Sequence, residues 1–207
     1  MRGSSNTPDC LPLALVLDNI FTPEECSNFI NISESAGYGA ALINTERGRQ
    51  DLLTSLRNND RCIMDRPELA DEIWRRIIAL LEKHSPQKLK EIHSFNQMQV
   101  AGLNERLRFL CYDPGTYFRP HMDGSYFRES GDRAGEKSFL TAQVYLNDDF
   151  EGGTTRFCNY NGREDYDVVP KTGSVLLFEH ALLHEGSELH AGRKYVIRTD
   201  VMYAPKK

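Results

Sequence analysis

The sequence predicts a mainly β (α+β) fold with helices near its N-terminus. From about residue 97 onward, the chain consists of short stretches that are rich in β-branched and aromatic residues. Turn signals that contain glycine or proline, such as DPG, EGG and PKTG, separate these stretches. Two earlier segments have the apolar spacing of amphipathic helices. A helical start followed by regular short strands predicts a sandwich or barrel with the helices packed outside it.

The first helix is predicted to follow a strand over residues 13–20. Thr22 is placed as its N-cap and Pro23 as its first helical residue, and Glu25 completes a capping box. The inner face of this helix would then consist of Cys26, Phe29 and Ile30.

The second helix is predicted to begin at Pro67 and to end near KHSP, because the residue before Pro86 is disfavoured in the helical conformation. Its apolar residues recur at helical spacing and would face the core. They are Leu69, Ile73, Ile77, Leu80 and Leu81.

The later strands are predicted at MQVAGL, RLRFLCY, SFLTAQVYL, TTRFC, YDVV, SVLLF and KYVIRTDVMY, with YNGRED among the turns between them. No linker rich in proline, glycine or serine divides the chain, and 207 residues fit one unit. We therefore predict a single domain over residues 1–207 with a β core over about residues 97–204.

Composition argues against several classes of partner. A net charge of -5 gives no broad attraction to nucleic acid, and no stretch approaches the roughly 20 apolar residues of a membrane span. The cysteines are odd in number and scattered, which is typical of reduced thiols inside a cell. A cytoplasmic location is expected, with the nucleus as an alternative, and the sequence carries no signal of oligomeric state. The cysteines are Cys10, Cys26, Cys62, Cys111 and Cys158.

The stretch PHMDGSYF places a histidine and an aspartate two residues apart. On an extended segment His121 and Asp123 point to the same side, and Met122 points away. Alone, such a pair is more typical of a hydrogen-bonded turn. The stretch LLFEHALLHEG offers His180 and His184 as a third ligand. Two histidines and one carboxylate with open positions form the ligand set of non-haem Fe(II) oxygenases.

Four stretches resemble, in the same order, the prolyl 4-hydroxylase branch of the Fe(II)/2-oxoglutarate dioxygenases. They are YDPGTYFRPHMD, TAQVYLNDDFEGGTTRF, VVPKTGSVLLF and HEGSELHAGRKYVIRTDVMY, and they fall within residues 107–203. FTPEEC and RNNDRC are similar in outline. The resemblance implies a double-stranded β-helix, a cupin-like jelly roll of two antiparallel sheets, with supporting N-terminal helices.

The resemblance also implies a ligand set. His121, Asp123 and His184 match the positions of the iron ligands and are predicted to be catalytic. His190 is an alternative third ligand, but it lies only four residues before Lys194 and breaks the spacing of the family. His180 and His184 could instead form a zinc-protease pair on a helix, but residue 181 is alanine where that motif needs glutamate.

By the same resemblance, Lys194 would pair with the distal carboxylate of 2-oxoglutarate. A dicarboxylate in a dry cavity needs such a charge-assisted partner. Tyr112 would hydrogen-bond the same carboxylate, and Thr141 would line its pocket. Arg198 is the alternative anchor, since it lies on the same face of the strand as Lys194.

The implied reaction is hydroxylation of an unactivated C–H bond with release of succinate and CO2. Fe(II), 2-oxoglutarate and O2 are the implied cofactors, with ascorbate as a further candidate. The implied substrate is a prolyl residue of a peptide or protein, and Arg119, Tyr126 and Arg128 are candidates to contact it. A free amino acid or another small metabolite is the alternative substrate, favoured by a short loop before His184. A catalytically inactive jelly-roll binding protein is the second alternative.

Overall fold

The computed structural model describes residues 13–44, 50–51, 53–159 and 164–206, apart from the side chains of residues 43, 44, 50 and 51. Cys10 and residues 160–163, which include the start of the predicted turn YNGRED, lie outside the described residues. The described part contains the helices α1 (Pro23–Ala36), α2 (Pro67–His84) and α3 (Pro86–His93). Among the described residues, no helix is both long and apolar enough to cross a membrane.

Both predicted helices are confirmed, and α3 is an addition. The Thr22 hydroxyl accepts from the Glu25 N–H, and the Glu25 carboxylate accepts from the Thr22 N–H, so the capping box is complete. The second helix ends at His84, as Pro86 predicted. Pro86 then begins α3. Proline is tolerated there because the N–H groups in the first turn of a helix have no partner within the helix, so the missing N–H costs nothing.

The strands after residue 97 follow the predicted stretches closely. MQVAGL and RLRFLCY are β7 and β8 within their predicted bounds. The first strand is shorter than predicted and ends at Leu17. In chain order the strands are β1 (Ala14–Leu17), β2 (Gly39–Ala40), β3 (Ile43–Asn44), β4 (Gln50–Asp51), β5 (Asp60–Asp65), β6 (Ser94–Phe95), β7 (Met98–Leu103), β8 (Arg106–Tyr112), β9 (Phe118–His121), β10 (Lys137–Tyr145), β11 (Glu151–Gly152), β12 (Thr155–Phe157), β13 (Tyr166–Val168), β14 (Val175–Glu179), β15 (His184–Gly186), β16 (Leu189–Ala191) and β17 (Lys194–Pro205).

The described strands form two principal antiparallel sheets. The larger sheet has the order β1-β14-β10-β17-β8-β5-β2, and β7 and β6 extend it beside the second half of β17. The smaller sheet has the order β13-β12-β15-β9. Two short pairs, β11 with β16 and β3 with β4, are separate from both sheets. The mainly β jelly-roll fold with supporting helices is therefore confirmed.

Two apolar clusters hold these layers together. One packs the helices against the outer face of the large sheet, through residues such as Ile73, Ile77 and Ile197. The other lies between the two sheets and joins Phe157 of the small sheet to Phe178 of the large one, with ring centroids 5.3 Å apart. Because the second cluster fills only part of the space between the sheets, the remainder is a cavity.

Gly173 joins the N-terminal strand and helix to the sandwich, and its substitution is expected to destabilise the fold. Its carbonyl accepts from the N–H groups of Ile20 and Phe21, and its N–H donates to the carbonyl of Tyr145. Its φ is +77°, and an added Cβ would lie 2.0 Å from the Phe21 carbonyl oxygen. Gly173→Ala should therefore lower the free energy of unfolding by about 3 kcal/mol or more, measured by urea denaturation.

Gly131→Ala is the matched control for that substitution. Gly131 has a φ of +84°, but an added Cβ would meet nothing within 4 Å. Its loss should be limited to the conformational cost of about 1 kcal/mol. Equal losses in the two variants would show that the contact with Phe21 does not restrict residue 173.

Candidate metal centre

Three metal-binding side chains converge at one end of the small sheet. His121 ends β9 and pairs in register with His184, which begins β15. The carboxylate of Asp123 faces both imidazoles. Its Oδ1 lies 3.8 Å from His121 Nε2, and its Oδ2 lies 3.8 Å from His184 Nε2. One ligand atom from each residue lies within 4.8 Å of those from the other two.

The path of the chain after β9 brings Asp123 to this point. The stretch HMD was predicted to be extended, but β9 ends at His121. The N–H of Asp123 donates to the carbonyl of His180 at 3.0 Å, so the chain leaves the pairing with β15 and contacts the turn after β14. Met122 between them is 63% exposed. His121 and Asp123 therefore face the same point although no continuous strand joins them.

Both histidines present the same ring nitrogen to the centre. Nδ1 of His121 lies 2.8 Å from the carbonyl oxygen of Arg119, and Nδ1 of His184 lies 2.9 Å from that of Leu182. A carbonyl oxygen can only accept, so each Nδ1 carries the proton and each Nε2 has a free lone pair. This arrangement of an outer hydrogen bond and an inner lone pair is typical of metal-binding histidines.

Burial keeps the two imidazoles neutral. It lowers the pKa of His121 to about 3, and the neighbouring His184 contributes to this shift. Burial also lowers the pKa of His184 below its ordinary value. A metal ion binds neutral imidazole, so no proton must be displaced from either ring near neutral pH.

The Asp123 carboxylate is ionised and is held in place by Arg198 and Thr141. Burial alone would raise its pKa, but the charge of Arg198 and the hydrogen bond from Thr141 outweigh it and hold the pKa below its ordinary value. Arg198 Nη2 lies 2.8 Å from Oδ1, and the Thr141 hydroxyl donates to Oδ2 at 2.5 Å. Thr141, predicted to line the cosubstrate pocket, is fully buried behind Asp123, and the structure does not place it on the cavity wall.

The donor set fits a ferrous ion. Neighbouring ligand atoms of an octahedral ion bound at about 2.1 Å lie about 3 Å apart. The separations from Asp123 to His121 and to His184 are each 3.8 Å, so small side-chain rotations would close the site around an ion. Two imidazoles and one carboxylate would hold the ion, and they are the donor set of the facial triad in non-haem Fe(II) oxygenases.

A cavity of about 490 Å³ adjoins the three donors and lies between the sheets. Its floor is built by the inward face of β17, where every second residue points into the cavity. These residues are Lys194, Val196, Arg198 and Asp200.

Lys194 lines the cavity. Its side chain is 3% exposed, and Nζ donates to the carbonyl of Gly153 at 2.6 Å. The aromatic rings of Tyr112 and Tyr145 flank the ammonium, with centroids 5.1 and 5.7 Å from Nζ. In the described residues no carboxylate lies within ion-pair distance of Nζ, and burial lowers the pKa of Lys194 to about 7.

Two further polar residues of the cavity wall, Thr155 and Asp200, were not predicted from the sequence. The Thr155 hydroxyl accepts from Gln143 at 3.0 Å and from Tyr145 at 2.8 Å, so its own proton is available to a ligand. Asp200, the next inward residue after Arg198, was also missed. Charged residues at two-residue spacing in an otherwise apolar strand are a signal that would have found it.

Three residues had been considered as alternatives: Arg198 as the anchor of 2-oxoglutarate, and His180 or His190 as the third metal ligand. Arg198 pairs with Asp123 and Asp200, so its charge is already compensated. His180 Nε2 lies 3.8 Å from Asp200 Oδ1. The group of metal-binding side chains contains His184 and does not contain His180. His190 is exposed on β16.

Of the three residues predicted to contact the substrate, one lines the cavity and two do not. Tyr126 lines the cavity. Arg119 is exposed and stacks on Tyr117, with Cζ 3.9 Å from the ring centroid. Arg128 pairs with Glu105 at 2.8 Å through both terminal nitrogens, and it is not among the described residues that line the cavity. The sequence could not predict that Glu105 neutralises Arg128, because the two residues meet only in the folded chain.

Comparison with known proteins agrees with this geometry. The family model of the 2OG-Fe(II) oxygenase superfamily matches residues 107–199, which include the three donors and Lys194. Prolyl 4-hydroxylase 1 of Arabidopsis thaliana is 25% identical over 203 residues. That alignment covers 89% of this chain and 66% of the relative, so the chain spans slightly less than two thirds of the relative's length.

Solved structures share the fold. A viral collagen prolyl hydroxylase from Paramecium bursaria Chlorella virus-1, in a 2OG complex, has a TM-score of 0.58 and 21% identity, covering 91% of this chain and 95% of the other. A prolyl hydroxylase from Trichoplax adhaerens, in complex with a hypoxia inducible factor peptide fragment, has a TM-score of 0.61 and 17% identity, covering 91% and 82%. Over residues 107–199 the chain is thus similar to the 2OG-Fe(II) oxygenase superfamily, and over most of its length it is similar to prolyl 4-hydroxylases.

Proposed function

We propose that the protein is an Fe(II)- and 2-oxoglutarate-dependent dioxygenase that hydroxylates a prolyl residue of a peptide or protein. The observation that carries this proposal is the placement of two neutral imidazoles and one carboxylate on the wall of a cavity whose buried lysine has no carboxylate partner among the described residues. The proposal takes residues 1–207 as one catalytic domain. The names of the relatives, which are prolyl 4-hydroxylases, support the choice of substrate.

In this proposal, His121, Asp123 and His184 hold Fe(II) through Nε2, a carboxylate oxygen and Nε2. When bound, Fe(II) supplies the redox chemistry by which 2-oxoglutarate and O2 become succinate and CO2 while a substrate C–H bond becomes C–OH. The N–H···O=C bonds at the two Nδ1 atoms orient the imidazoles.

The larger sheet would hold the cosubstrate. Lys194 would pair with the distal carboxylate, and the hydroxyl groups of Tyr112 and Thr155 would donate to it from the same part of the cavity. Binding of the dianion would favour protonated Lys194 over the neutral form that burial promotes. Since Tyr112 and Lys194 are paired in register on β8 and β17, the sheet fixes the spacing of these groups.

Two finer features belong to the same proposal. Ascorbate would serve as an external reductant that keeps the iron ferrous, and we expect it to prolong turnover. A cytoplasmic location is supported by the free thiols of the four described cysteines, which are Cys26, Cys62, Cys111 and Cys158.

The test combines cosubstrate turnover with product mass. We expect the protein loaded with Fe(II) to convert 2-oxoglutarate to succinate, and proline-containing peptides to stimulate this conversion and gain the mass of one oxygen atom derived from O2. Stimulation by free amino acids alone would favour the small-molecule alternative. Absence of both metal binding and succinate formation would favour the inactive jelly-roll binding protein.

A further inference from the structure

The cavity contains more positive charge than its own carboxylates neutralise. Arg198 and Arg108 are compensated, because both pair with Asp200 and Arg198 also pairs with Asp123. The remaining arginines on the wall are Arg57 and Arg61. Neither has a carboxylate within 4.0 Å in the described part of the chain. Lys194 is reserved for the cosubstrate by the proposed function.

The Arg57 side chain is held in place although it has no carboxylate partner in the part of the chain that the structure describes. It is 8% exposed, and its Nε donates to Asn59 Oδ1 at 2.7 Å. Its guanidinium lies over the Phe118 ring, with Cζ 4.6 Å from the centroid. Within the described residues, its two terminal nitrogens make no hydrogen bond. A side chain fixed at one nitrogen and one face presents its remaining donors to the cavity.

Arg61 lies beside Arg57 on the same wall. Within the described residues, its side chain makes one hydrogen bond, a long one of 3.3 Å from Nη1 to the carbonyl of Leu42. Burial lowers the pKa of Arg57 to about 10, and the charges of Arg61 and Arg198 oppose its protonation further. Two adjacent guanidinium groups without an anion are costly inside a protein, and a bound anion would relieve that cost.

The guanidinium of Arg57 lies close to the metal centre. Phe118 stacks on the imidazole of His121, with ring centroids 3.5 Å apart and planes inclined by 16°. The guanidinium of Arg57 lies over the same phenyl ring. Arg57 and the three metal-binding residues line one cavity, so an anion bound to Arg57 would lie beside the metal centre.

We infer that Arg57 and Arg61 bind a carboxylate of the substrate, next to the carbon that is hydroxylated. The inference rests on the proposed function, because it takes this cavity as the substrate site. A planar guanidinium matches a carboxylate through two parallel hydrogen bonds. Uncharged proline-rich sequences would leave both arginines unpaired. The carboxylate belongs either to an acidic side chain next to proline in a peptide or to the α-carboxylate of a free amino acid.

Two matched pairs of probes distinguish these sources. One pair is an acetylated and amidated peptide with glutamate next to proline, and the same peptide with glutamine. The other pair is free L-proline and L-prolinamide. Binding is measured without oxygen by calorimetry on protein loaded with Mn(II) and 2-oxoglutarate, and succinate formation is measured in air. We expect the carboxylate member of one pair to bind at least about tenfold more tightly than its amide.

Arginine variants test whether these residues cause the preference. Arg57→Gln should abolish the preference for the carboxylate. Arg61→Gln, at a half-buried position that the fold tolerates more easily, should reduce it at least about threefold. Arg75→Gln, which removes an exposed arginine of α2, should leave it unchanged. If neither pair shows a preference, or the preference survives both cavity variants, the inference is wrong.

The same measurements separate this inference from the proposed function. Succinate formed without any probe reports the dioxygenase reaction alone. If that background is present and no carboxylate binds preferentially, the dioxygenase stands and the inference fails. If Arg57→Gln raises the KM for 2-oxoglutarate and leaves the probe preference intact, Arg57 anchors the cosubstrate and the inference also fails.

Discussion

Replacing His184 with alanine should abolish Fe(II) binding and succinate formation. His184 supplies one of three donors, and its Nε2 faces Asp123 at 3.8 Å. Loss of an outer partner of a metal ligand commonly costs roughly 10- to 100-fold in affinity or activity, and loss of the ligand itself should cost more. Metal content after dialysis and succinate production, measured on the same sample, would show the loss. Circular dichroism would verify that the fold persists.

His190→Ala is the matched control for this prediction. His190 lies six residues further along the chain and is exposed. Its removal should change neither metal content nor turnover. If His190→Ala lost the metal while His184→Ala retained it, the assignment of the third ligand would be wrong.

Replacing Lys194 with alanine should raise the KM for 2-oxoglutarate by about 100-fold or more, with a smaller effect on metal binding. Lys194 is the cation of the cavity that is buried deepest and has no carboxylate partner among the described residues. Removing it would leave the distal carboxylate of the cosubstrate buried without a counter-charge. Lys83→Ala, at an exposed position of α2, is the control. An unchanged KM would move the anchor to another cation.

The pKa of Lys194 predicts how this affinity depends on pH. In the free protein the pKa is lowered to about 7, so the ammonium loses its proton as the pH rises above that value. The dianion binds the protonated form, and the affinity for 2-oxoglutarate should therefore fall from pH 7 to pH 9, approaching tenfold per pH unit. The histidine ligands should not contribute, because their lowered pKa values keep them neutral throughout this range.

Lys194→Arg provides the test of that assignment. Arginine stays protonated across the range, so the dependence on pH should flatten even where the affinity itself changes. Calorimetric titration of 2-oxoglutarate at several pH values, with saturating Mn(II), measures both slopes. Equal slopes in the two proteins would show that another group titrates.

The secondary structure and the first two donors follow from local patterns. The capping box at Thr22 and Glu25 and the bounds of β7 and β8 depend on residues close in sequence, and the structure has them as predicted. His121 and Asp123 are neighbours at a two-residue spacing that a strand end places on one side. The helix α3 was missed because Pro86 was taken only as a terminator.

Long-range pairing decided the rest. Spacing alone leaves both His180 and His184 open as the third ligand, and only the family resemblance favoured His184. The register of β15 against β9 sets His184 opposite His121. Spacing cannot show which cations are already neutralised: Arg198 pairs with Asp123, 75 positions away, whereas Arg57 has no carboxylate partner in the described chain. Periodicity and capping act between neighbours, so the order of residues is sufficient to specify them. Charge compensation in a buried cavity depends on which distant side chains meet, and only the folded chain brings them together.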